Sequence, residues 1–141
     1  MFDKFFSLSE DIKKEIIEKI KNILIQEEYI VFAYIFGSFL NDPSFRDIDI
    51  GIFVDNINLD EDFEVKLIDK ISKSINLPFE IIDLRIINKA KHSFLNNIFR
   101  TGLLLFTKNE KLLTDLIEET SLEAIANEYI SQLSLKELLS L

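Results

Sequence analysis

Two apolar runs separated by a short polar stretch constrain the fold of this chain more than any other feature. The first run, residues 29–36, ends at Gly37-Ser38, and the second, residues 47–54, begins Asp47-Ile48-Asp49. Both runs are short and rich in β-branched and aromatic residues, a pattern that predicts two buried strands. Gly37 and Ser38 predict a turn between them, whose backbone N–H groups and hydroxyl are suited to cradle phosphates.

The two aspartates at the start of the second run indicate a cation site. Side chains two residues apart on a strand project from the same face, so Asp47 and Asp49 lie about 6–7 Å apart at Cα and can reach a common ion. Their carboxylates repel each other, and a divalent cation relieves that repulsion. Hard oxygen ligands favour Mg²⁺ or Mn²⁺. Gly51 follows on the same face and predicts open space above the acids. The alternative interpretation of Asp47 and Asp49 is a strand face that is simply exposed to solvent.

Composition narrows the function classes. The chain has 141 residues, 48% of them hydrophobic, which is enough for one domain with a substantial core. The net charge of −9 disfavours an extended nucleic-acid surface, since phosphate backbones require clustered Lys and Arg. No cysteine is present, which excludes disulfides and thiolate chemistry. Without a signal peptide or a long apolar segment, we expect a soluble cytoplasmic protein.

The hydrophobic periodicity predicts the order α-β-β-α-β-α-β-α-α, an α/β or α+β fold with a small mixed sheet of about four strands flanked by helices. The first helix starts behind a capping-box pattern at Ser7, and a loop over residues 39–46 joins the two strands. The third strand covers residues 79–87 and the fourth residues 103–107. We expect one domain over residues 1–141, with a core at about 10–107 and a C-terminal extension of several helices at about 109–141.

The arrangement of Gly37, Ser38, Asp47 and Asp49 resembles the signature of the nucleotidyltransferase superfamily that includes DNA polymerase beta. The segment 78–85, Pro-Phe-Glu-Ile-Ile-Asp-Leu-Arg, is similar to the third-carboxylate segment of its small stand-alone members, the MNT or minimal nucleotidyltransferases. Residues 98–106 resemble the helix–glycine–strand segment that closes the family's fold. The resemblance covers residues 10–107 and implies the polymerase-beta-like fold.

The resemblance also implies the roles of further site residues. Glu80 takes the position of the third carboxylate, and Asp83 is the alternative, because two side chains three residues apart do not share a face of a regular strand. Gly37 and Ser38 would bind the β and γ phosphates of ATP. Arg46 either pairs with a neighbouring acid at the surface or holds a phosphate.

MNT proteins usually act with HEPN proteins, so the resemblance implies a function as well. The chain would use Mg²⁺ or Mn²⁺ to transfer AMP from ATP to a tyrosine hydroxyl of a HEPN toxin and thereby act as its antitoxin. Two alternatives stay open. One is a non-catalytic module that neutralises a partner by stoichiometric contact, and the other is a nucleotidyltransferase for a small molecule. The apolar stripe near the C-terminus is either core or a surface for self-association or a partner.

Overall fold

The computed structural model describes residues 5–55 and 58–139 and consists of a mixed sheet covered by helices on both faces. The elements in chain order are β1 (Phe6–Ser7), α1 (Glu10–Ile25), β2 (Ile30–Phe36), α2 (Ser38–Asn41), β3 (Ser44–Phe45), β4 (Ile48–Val54), α3 (Phe63–Ile75), β5 (Ile82–Ile86), α4 (His92–Thr101), β6 (Leu103–Thr107) and α5 (Glu110–Leu139).

The main sheet has the strand order β5-β4-β2-β6. Strand β2 runs antiparallel to both β4 and β6, whereas β4 and β5 are parallel. The carboxyl end of β2 therefore lies beside the amino ends of β4 and β5. The predicted α/β fold with four mixed strands is confirmed.

Each face of the sheet has its own hydrophobic core, because alternate strand residues point to opposite sides. On one face, α1 and α3 cover the isoleucines of β4 and residues such as Ile35. On the other face, α4 and α5 pack against Tyr34 and Phe36. The two acids of the second run alternate with those isoleucines, so they belong to the α4/α5 face.

Several predicted element boundaries were wrong. Residues 79–81 form a 3₁₀ turn closed by the Ile81 N–H and the Pro78 carbonyl (3.3 Å), and β5 starts only at Ile82. The predicted loop 39–46 contains α2 and β3. The cap of α1 is Ser9, which accepts from the Ile12 N–H, while Ser7 lies in β1.

The C-terminal region forms one helix, α5, where several were predicted. The sequence from residue 110 to 139 contains neither glycine nor proline, and an isolated serine is tolerated in a helix interior at a small cost in propensity. Ser121 therefore continues the helix instead of capping a new one. Within the described residues, no helix combines the length and apolar character that crossing a membrane requires.

Candidate active site

Three aspartates gather at the edge of the sheet where β2 ends and β4 and β5 begin. Asp49 is the second residue of β4 and stands in register with Asp83, the second residue of β5. Asp47 directly precedes β4. All three side chains are partly buried. Parallel pairing thus brings together two acids that lie more than 30 residues apart in the sequence.

The crowding of these acids changes the protonation of Asp49. Burial raises the pKa of its carboxyl to about 6, helped by a hydrogen bond with Asp83 and by the negative charges of Asp83 and Asp47; the positive charge of Arg85 acts in the opposite direction. An additional positive charge nearby stabilises the ionised form of a carboxyl whose pKa is raised in this way. The site therefore favours a cation.

Arg85 supplies a positive charge from within the protein. It follows Asp83 by two residues on β5, so both side chains lie on the same face. Its Nε lies 3.3 Å from Asp83 Oδ1 and its Nη2 lies 3.0 Å from Asp83 Oδ2, a bidentate ion pair. No role was predicted for this arginine, although its alternation with Asp83 along the strand is the sequence signal that places it beside that acid.

Glu80 lies outside this cluster of strand residues. It is exposed in the 3₁₀ turn that precedes β5, and three residues separate it from Asp83. The strand predicted over residues 79–87 would have put Glu80 on the sheet, but the turn after Pro78 removes it from the ladder. Asp83, the alternative candidate, is the acid in register with Asp49.

The Gly37-Ser38 turn closes over Asp49. Gly37 has φ +83°, and a Cβ built on it would collide with Asp49 Oδ2. A side chain at this position is thus excluded both by backbone conformation and by space. The four-residue helix α2 starts at Ser38, and the Asn41 side chain donates back to the Gly37 carbonyl (3.3 Å). The turn predicted to cradle phosphates lies directly beside the carboxylates.

Aromatic and aliphatic side chains wall the site on the α4/α5 face. A Cβ on Gly51 would lie 3.2 Å from Ile87 Cγ2 and 3.5 Å from the Phe36 ring, so the space expected above Gly51 is filled. Phe94 of α4 meets Phe36 edge-on at 5.8 Å and lies under the Arg85 guanidinium, also at 5.8 Å. Phe94 thus contacts the arginine that holds Asp83.

Arg46 and His92 contact other parts of the protein. The Arg46 guanidinium lies 5.8 Å above the ring of Phe5. His92 begins α4 and its Nδ1 contacts the Glu123 carboxylate of α5. Among residues 5–55 and 58–139, no group of three acidic or histidine side chains is already arranged as a complete metal site. This agrees with the bidentate ion pair, in which both carboxylate oxygens of Asp83 are bonded to Arg85.

Comparison with known proteins identifies the family. The sequence model of the family described as "Polymerase beta, Nucleotidyltransferase" matches residues 18–111, more than half of the chain. The chain belongs to this nucleotidyltransferase family. No curated protein sequence gives a significant match. The matched part of the nucleotidyltransferase domain includes all of the residues predicted for the site.

The same fold is found in solved structures of toxin–antitoxin complexes. One chain of a complex between a tri-AMPylated HEPN toxin and an MNT antitoxin from Shewanella oneidensis superposes with a TM-score of 0.62 at 17% identity, covering 90% of this chain and 98% of that one. A toxin–antitoxin structure with AMP-PNP gives 0.62 at 18% identity, with coverages of 87% and 98%. The toxin–antitoxin pair MntA–HepT gives 0.55 at 15% identity, with coverages of 93% and 99%. At these identities the likeness establishes the fold.

Proposed function

We propose that this nucleotidyltransferase transfers AMP from ATP to a tyrosine hydroxyl of a HEPN-type toxin and acts in the cytoplasm as the antitoxin of that toxin. The register pair of Asp49 and Asp83 beside the Gly37 turn carries the proposal, because it joins a cation-binding acid pair to a phosphate-binding turn. The fold shared with chains of toxin–antitoxin complexes, one with an AMPylated toxin and one with AMP-PNP, supports the choice of partner and nucleotide.

The donor set fits Mg²⁺ or Mn²⁺. Asp47, Asp49 and Asp83 offer carboxylate oxygens, which are the preferred ligands of these hard cations. The raised pKa of Asp49 reflects its burial first and then the neighbouring negative charge, which Arg85 only partly compensates. When bound, such ions stabilise the charge that develops on the attacking and leaving oxygens.

The protein groups position the reactants. The tyrosine oxygen forms a bond to the α-phosphorus of ATP, and the bond from that phosphorus to the oxygen bridging to the β-phosphate breaks. Pyrophosphate leaves, and the hydroxyl proton passes to Asp83. The N–H groups of the turn at Gly37 and the hydroxyl of Ser38 hold the β and γ phosphates, since backbone donors in tight turns bind anions. AMP thereby becomes esterified to the toxin.

The exposed half of α5 provides a surface for the partner. Beyond residue 121 large apolar side chains lie in water, and helical spacing aligns most of them in one stripe: Leu122, Ile125, Tyr129 and Leu133. The helix carries several glutamates and no Lys or Arg between Lys111 and Lys136. A second copy would oppose like charges, so we propose a protein partner with an apolar groove bordered by Lys and Arg.

Label transfer from ATP tests the reaction. The protein is purified from its native host with its bound proteins and incubated with Mg²⁺ and ATP labelled at the α-phosphate or, as a control, at the γ-phosphate. We expect label on a bound protein only from the α position. Asp49→Asn should reduce labelling to background while the circular dichroism spectrum stays unchanged.

A matched pair of variants tests which acid completes the site. We expect Asp83→Asn to abolish labelling, because it removes the carboxylate in register with Asp49, and Glu80→Gln to retain most of it. The reverse result would assign the third carboxylate to Glu80. If a bound protein stays unlabelled even with the unsubstituted chain, the proposed transferase activity is wrong. Neutralisation by stoichiometric contact is then the remaining explanation.

A further inference from the structure

Lys13 is a buried, positively charged residue on α1, and it is distant in sequence from Asp47, Asp49 and Asp83. Its side chain is 4% exposed, the only charged side chain that the described part of the chain buries so fully. Lys13 lies on the buried face of α1 together with Ile16, Ile20 and Leu24, which follow it at helical spacing. A lysine at such a position is unusual, because lysine side chains are almost never fully buried unless they are paired. A buried ammonium is costly unless it is hydrogen-bonded or paired. Its partners therefore indicate why a lysine occupies this position.

The ammonium is held by the chain between β2 and β4. Its Nζ donates to the carbonyl of Asp42 at 2.8 Å, and it lies 5.6 Å from the ring centres of both Phe39 and Phe45. Asp42 is the C-cap of α2, where helix carbonyls lack partners within the helix. Lys13 thus satisfies the free end of α2, while the other end of α2 begins at the Gly37 turn.

Other N-terminal residues contact the same segment. Strand β1 pairs with β3, with Phe6 opposite Phe45, and Ser7 Oγ donates to the Pro43 carbonyl at 3.2 Å. Phe5, Phe6, Ser7 and Lys13 therefore all contact residues 42–46. The N-terminal residues that make these contacts all precede residue 18, the first residue of the match to the family.

We propose that residues 5–13, chiefly through Lys13, form a clamp that positions the Gly37-Ser38 turn for the triphosphate of the nucleotide. An apolar side chain would fill the same space but would leave the Asp42 carbonyl unbonded and α2 free to shift. Because α2 has only four residues, a shift at Asp42 moves Ser38. Lys13 is a positioning residue, and its role in nucleotide binding rests on the proposed function.

Hydrogen exchange tests the clamp without any nucleotide. In Lys13→Met we expect the amides of residues 38–46 to exchange about 10-fold faster, with unchanged exchange in β4 and α3, because the segment opens locally. The matched control is Lys14→Met, which alters an exposed neighbour on the same helix and should leave exchange in 38–46 unchanged. Unchanged exchange in Lys13→Met, or a uniform increase across the protein, would overturn the proposal.

A second variant and a kinetic measurement complete the test. Ser7→Ala removes only the bond to the Pro43 carbonyl at an exposed site, and we expect about 2-fold to 3-fold faster exchange at residues 43–45. If Lys13→Met does not fold and Ser7→Ala exchanges like the unsubstituted protein, the proposed clamp is wrong.

In the label-transfer assay, we expect Lys13→Met to raise KM for ATP about 10-fold with kcat nearly unchanged. An inactive unsubstituted protein would contradict the transferase and leave the exchange result valid.

Discussion

At the scale of single residues, Asp49 is where the requirements of folding and of the proposed chemistry conflict. Its carboxylate lies between Gly37, whose missing side chain leaves room for it, and Asp83, whose charge opposes its own. A protein selected for stability alone would replace one of these acids with an amide. The retention of both acids beside a turn of positive φ supports a site that accepts a cation.

The pKa of Asp49 leads to a prediction about stability and pH. Its pKa is raised from 3.8 to about 6 in the folded protein, so between these values the native state binds more protons than the unfolded state. Stability then falls as pH rises through this window, and at pH 8 the cost is complete. The rise in pKa corresponds to about 3 kcal/mol, which solvent screening of this half-buried carboxylate lowers to about 2 kcal/mol. Asp49→Asn, which resembles the protonated form, should be more stable than the unsubstituted protein by that amount at pH 8 and by no more than about 0.5 kcal/mol at pH 4.

Urea unfolding in EDTA at the two pH values measures this difference. Glu28→Gln, a change at an exposed turn residue, serves as the control and should show no pH-dependent gain. If Asp49→Asn and the unsubstituted protein keep the same stability difference at both pH values, the electrostatic account of the site is wrong.

At the scale of elements, glycines mark two junctions with different purposes. Gly37 joins β2 to α2 with a positive φ and lies against the Asp49 carboxylate. Gly102 joins α4 to β6 with an ordinary φ of −84°, yet a Cβ there would lie 2.6 Å from the Ile98 carbonyl oxygen and 3.0 Å from the Ile35 carbonyl oxygen. Helix α4 ends at Thr101, and close backbone contact is what requires glycine at the next position.

Alanine at these two junctions should separate activity from stability. Both Gly37→Ala and Gly102→Ala should lower the free energy of unfolding by about 1–3 kcal/mol, since each adds a side chain where backbone or carboxylate leaves no space. Gly37→Ala should in addition reduce label transfer about 100-fold, because displacing Asp49 misplaces the reactants. Gly102→Ala should remain active at temperatures where it is folded. Equal losses of transfer in the two variants would show that the Gly37 turn has no special role.

At the scale of the whole molecule, α5 divides into two parts. Its first turns complete the second core through Leu113, and Thr120 is still buried, whereas the later turns expose their apolar stripe. The helix is about 45 Å long, longer than the sheet needs for cover. This asymmetry favours a binding surface over a packing role for the later turns.

Polar substitutions in the stripe should abolish partner binding and leave the fold intact. In the triple variant Ile125→Ser, Tyr129→Ser and Leu133→Ser we expect at least about 30-fold weaker binding of the co-purified partner, once identified, by calorimetry. The free energy of unfolding should change by no more than about 0.5 kcal/mol per site, because these side chains are exposed. Leu138→Ser, on the opposite side of the helix, is the control. A stripe variant that binds normally, or a free protein that proves to be a dimer through α5, would contradict the proposed docking surface.

Local sequence pattern predicts the parts of this protein that depend on neighbours along the chain. The strand that ends at Gly37, the alternation that puts Asp49 on a strand with isoleucines on its other face, and the order of the strands along the chain all follow from local pattern. Asp47 and Asp49 as a pair of ligands remain a prediction that follows from the same alternation.

Tertiary structure decided what depends on residues distant in sequence. The parallel register of β4 and β5 pairs Asp49 with Asp83, and no local pattern specifies that register. Packing of α2 and β3 against α1 supplies the carbonyl and the aromatic rings that surround Lys13, a lysine on the buried face of its helix. The turn at Pro78 took Glu80 off the sheet. In each case the deciding energy comes from burial and hydrogen bonds between separate segments, which local propensities do not contain.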